Sequence, residues 1–197
     1  MFSNMSVRIA DKFIEKHIIT AEDREIYQYG FQQFFSVALN LITMIAIGIA
    51  FGMVLECIAF LAAYMPLRSF AGGFHAKTAV RCYIYSIIMI VIVLSIMKFA
   101  ALGGIIVGCM SGIGYLILIL LAPIEDGNKP LDEKEQVRYR FSARCILFVE
   151  ILIQLIAAIL KWNSIVLCIA MSISTLSFVV VLGAIKNYVR NTKSKIV

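Results

Sequence analysis

From Phe31 to Phe70 the chain runs through forty residues in which Glu56 and Arg68 are the only charges. A helix needs about 20 apolar residues to cross the hydrocarbon core of a bilayer, so this stretch is too long for one crossing and has to turn back. Gly48 and Gly52, in an uncharged GIAFG run, mark the turn and give spans near 32–50 and 53–68. A break from Arg68 to Lys77 follows. Apolar runs then recur at about 79–98 and 102–121, separated by Lys98 and the Gly103–Gly104 pair, and at 141–160 and 164–185, separated by Lys161, Trp162 and Asn163. Composition agrees: 61% of residues are hydrophobic and 15% charged, against about 45–50% and 25% in soluble domains. Lipid is the solvent for most of this chain. A water-soluble enzyme, a disordered chain and a disulfide-bonded secreted domain are excluded. The five cysteines are an odd number; with Cys57, Cys109 and Cys168 inside apolar stretches they read as reduced thiols rather than a disulfide framework.

The expected architecture is an all-α integral membrane protein with about six transmembrane helices. An amphipathic N-terminal segment, residues 1–30, precedes a single polytopic domain over 31–197. In that segment Val7, Ile9, Ala10, Phe13, Ile14 and Ile18 recur at helical spacing between Arg8, Asp11, Lys12, Glu15 and Lys16, the pattern of a helix lying at a membrane interface. The charges interrupt any apolar core, so it is not a signal peptide. Thr20, followed by Glu22, Asp23 and Glu25, marks a second helix start. The polar stretch 121–144, with Pro123, Gly127 and Pro130 in its first half, is expected as a loop. With six spans, all but Lys98 and Lys161 of the 18 lysines and arginines fall on one side. The positive-inside rule makes that side, with both termini, cytoplasmic.

One segment departs from the membrane pattern. Residues 66–86, PLRSFAGGFHAKTAVRCYIYS, place a Gly-Gly pair, His75 and Cys82 among Arg68, Lys77 and Arg81 at the charged rim. A cysteine and a histidine are the minimum parts of a thiol nucleophile and its base. On a continuous helix, seven residues separate the two by roughly 10 Å along the axis, beyond hydrogen-bond reach. The chemistry therefore requires a break, which Gly72 and Gly73 supply, with Thr78 as N-cap of a helix starting at Ala79. Cys82 then lies in the first turn, where the helix dipole, Arg81 and a protonated His75 favour the thiolate. The plainer reading is that Cys82 is a small packing residue and His75 an interfacial donor. His17 is explained as a surface residue of the amphipathic segment.

The run from Arg68 through Gly72, Gly73, His75 and Cys82, followed after two apolar stretches by Ala122, Pro123 and Asn128-Lys129-Pro130-Leu131, resembles the AgrB family of accessory gene regulator proteins. The amphipathic start ending in Tyr29-Gly30 and the total length also fit. The resemblance implies a membrane cysteine endopeptidase that processes the propeptide of a quorum-sensing signal. On that reading Cys82 is the nucleophile and His75 the general base, with Arg68 and Gly73 as further required positions. Cys82 attacks the carbonyl between signal and tail of an AgrD-like propeptide, and an internal cysteine or serine of the peptide displaces the thioester to close a (thio)lactone ring.

The cationic rim suits an acidic peptide tail. Lys129, Arg138 and Arg140 are the candidate tail contacts, although the same cations serve topology and anionic lipid. Glu56 and Glu150 are acids inside apolar spans; Glu56 falls near the outer interface, and Glu150, with Gln154 one turn on, is placed for an interhelical polar contact. Neither shares the His75 side. Two distant histidines and scattered cysteines make no metal site, and no cofactor or nucleic-acid partner is implied. The partners expected are the propeptide, the bilayer and a second copy in a homodimer. The reading from a different class is a small multispan transporter or exporter subunit, with Glu56 and Glu150 lining a path and Cys82 inert.

Overall fold

The computed structural model describes residues 3–74, 76, 78–125 and 132–194. Among these residues seven helices form: α1 (Ser3–Glu15), α2 (Arg24–Phe51), α3 (Val54–Ala71), α4 (Ala79–Phe99), α5 (Gly104–Leu121), α6 (Glu133–Ile159) and α7 (Asn163–Ser194). All but α1 are long and apolar enough to cross a membrane. The described residues contain no strand, only an isolated bridge between Gly72 and Ile124. The chain is an all-α multispan membrane protein with an N-terminal helix, as its hydropathy pattern requires.

Consecutive spans run in opposite directions. One end of the bundle therefore carries the 72–78 and 122–132 connections, and the other carries Gly52–Met53, residues 100–103 and residues 160–162. At this second end Gly52 closes α2 in the left-handed conformation, φ 67°, which glycine adopts without a Cβ penalty. Lys98 Nζ donates to the Phe51 carbonyl at 2.6 Å, a cation on a carbonyl at the helix C-terminus. Gly48 is not part of the turn. A Cβ there would lie 2.9 Å from Cys57 Cβ, so the glycine sets how closely α2 and α3 approach.

The core sits around α3 and α7, which pack against one another, with α5 on α7, α6 against both, and α2 between α3 and α4. Phe60, Leu67, Ile90, Leu94, Leu118, Ile173, Leu176 and Val180 are fully buried. Polar ties stitch the apolar packing. Gln154 Nε2 donates to Ser111 Oγ at 2.8 Å and to the Val166 carbonyl at 3.3 Å, while its Oε1 accepts from the Tyr115 hydroxyl at 3.1 Å. The interhelical contact expected near Glu150 is thus made by Gln154. Glu150 itself is 5% exposed, with its Oε2 unpartnered.

Several boundaries differ from those the sequence suggests. α2 begins at Arg24 and passes through Gly30 unbroken, so the division expected after residue 30 falls inside a helix; Asp23, not Thr20, precedes it, and Thr20 Oγ1 donates to Asp23 at 2.7 Å instead. α1 docks on the start of α2 through the edge-to-face Phe13–Phe31 pair (5.3 Å between centroids) and the Arg24–Asp11 ion pair at 2.7 Å. α3 continues through Pro66 to Ala71, which puts Arg68 on a helix rather than in a break. α6 starts at Glu133, because Asp132 and Glu135 form a capping box, so the second half of the expected 121–144 loop is helical. α7 runs on to Ser194. Cys57 and Cys168 are buried, but Cys109 and Cys145 are exposed on outward helix faces, where they fill no packing gap.

Candidate active site

Arg68, Gly72, Gly73 and Cys82 meet at the charged end of the bundle, where α3 hands over to α4. Gly72 (φ 67°) and Gly73 (φ 114°) turn the chain out of α3, and this backbone is held from three sides. Arg68, in the last turn of α3, donates from Nη1 to the Gly72 carbonyl and from Nη2 to the Phe74 carbonyl at 2.8 Å. A planar fork of donors can span two carbonyls in this way; an ammonium point charge cannot.

From the second side comes the α5–α6 connection. Ile124 N–H donates to the Ala71 carbonyl at 2.9 Å and Gly73 N–H to the Ile124 carbonyl at 3.2 Å. A Cβ on Gly72 would lie 2.1 Å from that carbonyl oxygen, so no other residue fits. This connection is anchored in turn, as Asn187 Nδ2 donates to the Glu125 carbonyl at 2.7 Å and Gln136 Nε2 to the Glu125 carboxylate at 3.0 Å.

The third side is α7. Phe74 N–H donates to the Val179 carbonyl at 3.0 Å. The approach is possible because residue 183 is glycine: a Cβ there would stand 2.8 Å from Gly73 C and from Phe74 N. Gly73 is confined too, its notional Cβ 3.1 Å from the Val179 oxygen. The Phe74 ring lies under Lys186 Nζ, 5.1 Å from the centroid, in cation–π range, and 6.1 Å from the Tyr85 ring.

Thr78 starts α4 as expected: its Oγ1 accepts from Arg81 N–H at 3.3 Å and its carbonyl from Cys82 N–H at 3.1 Å. Cys82 is half-buried in this first turn, with the exposed Arg81 beside it. Tyr64, one turn before Arg68 on α3, interacts with the Arg68 guanidinium and lies within electrostatic range of the Cys82 thiol. His75 and Lys129 lie outside the described residues. Arg138 and Arg140 are exposed on the first turns of α6 rather than in a loop. Among the described residues no group of three or more His, Cys, Asp or Glu side chains is placed to hold a metal.

The Gly-Gly turn, the arginine below it and the thiol just beyond it occupy one stretch of an AgrB-type sequence, and the family model for accessory gene regulator B matches residues 6–182. This chain belongs to the AgrB family. AgrB proteins act in quorum-sensing accessory gene regulation, and this member is multispan, with Arg68, Gly72, Gly73 and Cys82 near one end of the bundle. It is 29% identical to an AgrB-like protein 2 of Clostridium perfringens strain 13 over 83% of this chain and 80% of that one. The accessory gene regulator proteins B of Staphylococcus saprophyticus and Staphylococcus carnosus are 29% and 24% identical, over 45% and 64% of this chain and 47% and 68% of theirs. No solved structure matches the chain.

Sequence reasoning missed Gly183, Asn187, Glu125 and Gln136. Gly183 was visible as the one glycine of the last apolar run, and Asn187 as a polar residue one turn later. Their partners are roughly 60 to 110 residues away in the chain, and no local pattern reports such a pairing.

Proposed function

We propose that this AgrB protein is a membrane-embedded cysteine endopeptidase that removes the C-terminal tail of an autoinducing-peptide precursor and enables its cyclisation. One observation carries the reading: a half-buried thiol in the first turn of α4 comes shortly after a Gly72–Phe74 turn whose backbone is fixed by Arg68, Ile124 and Val179. A packing cysteine has no use for such a loop, whereas a nucleophile needs its base and substrate held in register.

In the reaction, Cys82 Sγ attacks the carbonyl between signal and tail. The peptide C–N bond breaks, His75 gives its proton to the departing amine, and a thioester joins the signal to Cys82. An internal thiol or hydroxyl of the peptide then attacks the thioester carbonyl. Its proton passes through His75, the S–C bond breaks, and Cys82 is regenerated as the lactone or thiolactone ring closes. Depth at the membrane rim keeps water from the thioester, which hydrolysis would turn into a linear product. Arg68 and Gly73 serve by holding the loop. The site and both termini face the cytoplasm, consistent with the cation asymmetry, and Lys129, Arg138 and Arg140 receive the acidic tail. The working unit is a homodimer.

Co-expression with candidate propeptides encoded beside the gene tests the reading. Wild type should release the tail and yield an acyl adduct on Cys82, and Cys82→Ala and His75→Ala should do neither. Cleavage that survives in Cys82→Ala refutes it.

A further inference from the structure

α2 and α4 are packed unevenly along their lengths. No residue of α2 before Met44 is buried, and none of α4 before Ile90; the buried residues of both helices lie in the half remote from Cys82. In the nearer half two polar contacts tie them: Asn40 Nδ2 donates to Ser86 Oγ at 3.2 Å, and the Thr43 and Tyr83 hydroxyls meet at 2.8 Å. Gln32, Ser36, Asn40 and Thr43 recur every three or four residues, a polar stripe along one face of α2.

Most of this stripe is satisfied. Ser36 Oγ donates to the Gln32 carbonyl at 2.8 Å, and Thr43 Oγ1 contacts the Leu39 carbonyl at 2.9 Å besides Tyr83. Asn40 is the exception, since its Oδ1 is buried and has no partner. Exchanging the amide oxygen and nitrogen moves the open valence to the other atom without filling it. An unfilled valence of this kind costs about 1–3 kcal/mol, and a ligand that supplies the missing group recovers that energy.

The ligand follows from position. Ser86 is four residues after Cys82, on the same face of α4 and about 6 Å deeper along the axis. An extended peptide advances about 3.3 Å per residue, so 6 Å spans two residues. Building on the thiol-peptidase reading above, we propose that Asn40, backed by Ser86, is a subsite for the main chain of the peptide being acylated, two residues before the scissile carbonyl. As the segment enters between α2 and α4, the open valence of the Asn40 amide pairs with a backbone N–H or C=O of that residue while its other atom stays on Ser86 Oγ. Recognition at this depth reads main chain rather than side chain and holds the acyl segment between α2 and α4, away from water.

Alanine peptides carrying a chloromethyl ketone test this on the full-length protein in phosphatidylcholine–phosphatidylglycerol vesicles, with alkylation at Cys82 read by mass spectrometry. Wild type should be alkylated about tenfold faster by acetyl-Ala-Ala-Ala chloromethyl ketone than by acetyl-Ala chloromethyl ketone, the gain expected from one hydrogen bond to the longer chain. Asn40→Leu should erase that preference while reacting with iodoacetamide at the wild-type rate. Thr43→Val removes a polar tie between the same two helices and should keep the preference; if both variants lose it alike, the tie is structural and the subsite is overturned. A preference retained in Asn40→Leu, or none in wild type, also overturns it. If Asn40→Leu fails to fold, Ser86→Ala is read in its place with the same two outcomes. Failure of the parent reading looks different: iodoacetamide labels Cys82 and neither chloromethyl ketone does.

Discussion

Gly183→Ala isolates what α7 contributes to the site. The added methyl would stand 2.8 Å from Gly73 C and Phe74 N and 2.9 Å from Gly73 Cα. All three are backbone atoms, with no side chain to swing aside. Carbon atoms rest at about 3.5–4.0 Å, so the loop or α7 has to retreat by roughly 0.7–1.2 Å. The Phe74 N–H to Val179 carbonyl bond, now 3.0 Å, then stretches beyond the distance at which such a bond counts. Overpacking costs about 1–3 kcal/mol, and the orphaned N–H adds about 1–3 kcal/mol. Moving the loop away relieves much of this strain, because the buried hydrophobic core includes none of residues 72–74. The bundle should therefore survive while a site misplaced by about 1 Å loses roughly a hundredfold in rate. Single-turnover cleavage of a propeptide by protein in vesicles measures that rate, and helix content by circular dichroism shows that the fold persists. Gly112→Ala is the control, as a Cβ there meets nothing within 4 Å. A folded Gly183→Ala protein that cleaves at the wild-type rate would refute the claim that α7 sets the geometry of the Gly73–Phe74 loop.

Two further outcomes follow. Arg68→Lys keeps the charge but not the fork across the Gly72 and Phe74 carbonyls, so cleavage should fall at least tenfold; restoration of the rate by lysine would show that the charge alone matters. Gln154→Leu leaves Ser111 and Tyr115 without their partner far from the site, and should lower unfolding stability by about 1–3 kcal/mol with the rate of single-turnover cleavage unchanged, as read by denaturant titration in detergent beside the cleavage assay.

The spans were legible because lipid imposes a length and an absence of charge on each crossing, and both are local properties of sequence. The first turn of α4 was legible too, since Thr78 and the glycine pair act within a few residues of themselves. Boundaries failed where a helix outruns the membrane. Glu133–Arg140 and Lys186–Ser194 are polar enough to resemble loops, and Arg24–Gly30 reads as part of a separate N-terminal segment, yet all three continue helices that begin or end outside the apolar window. The D-x-x-E pattern at 132–135 signalled one of these starts. The supports of the candidate site were the least legible part, because Ile124, Val179, Gly183 and Asn187 act on Gly72–Phe74 from other connections and helices.

Those supports bear on when the site first exists. Val179 and Gly183 belong to α7, which leaves the ribosome about a hundred residues after the loop they hold. Five spans carrying Arg68, the glycine pair and Cys82 are synthesised before any atom of that platform. The nascent bundle therefore carries an unset Gly72–Phe74 turn, which is fixed only as α7 packs against α3 and α5. Packing of α7 and fixing of the turn beside Cys82 are one event, timed by the order in which the chain is made.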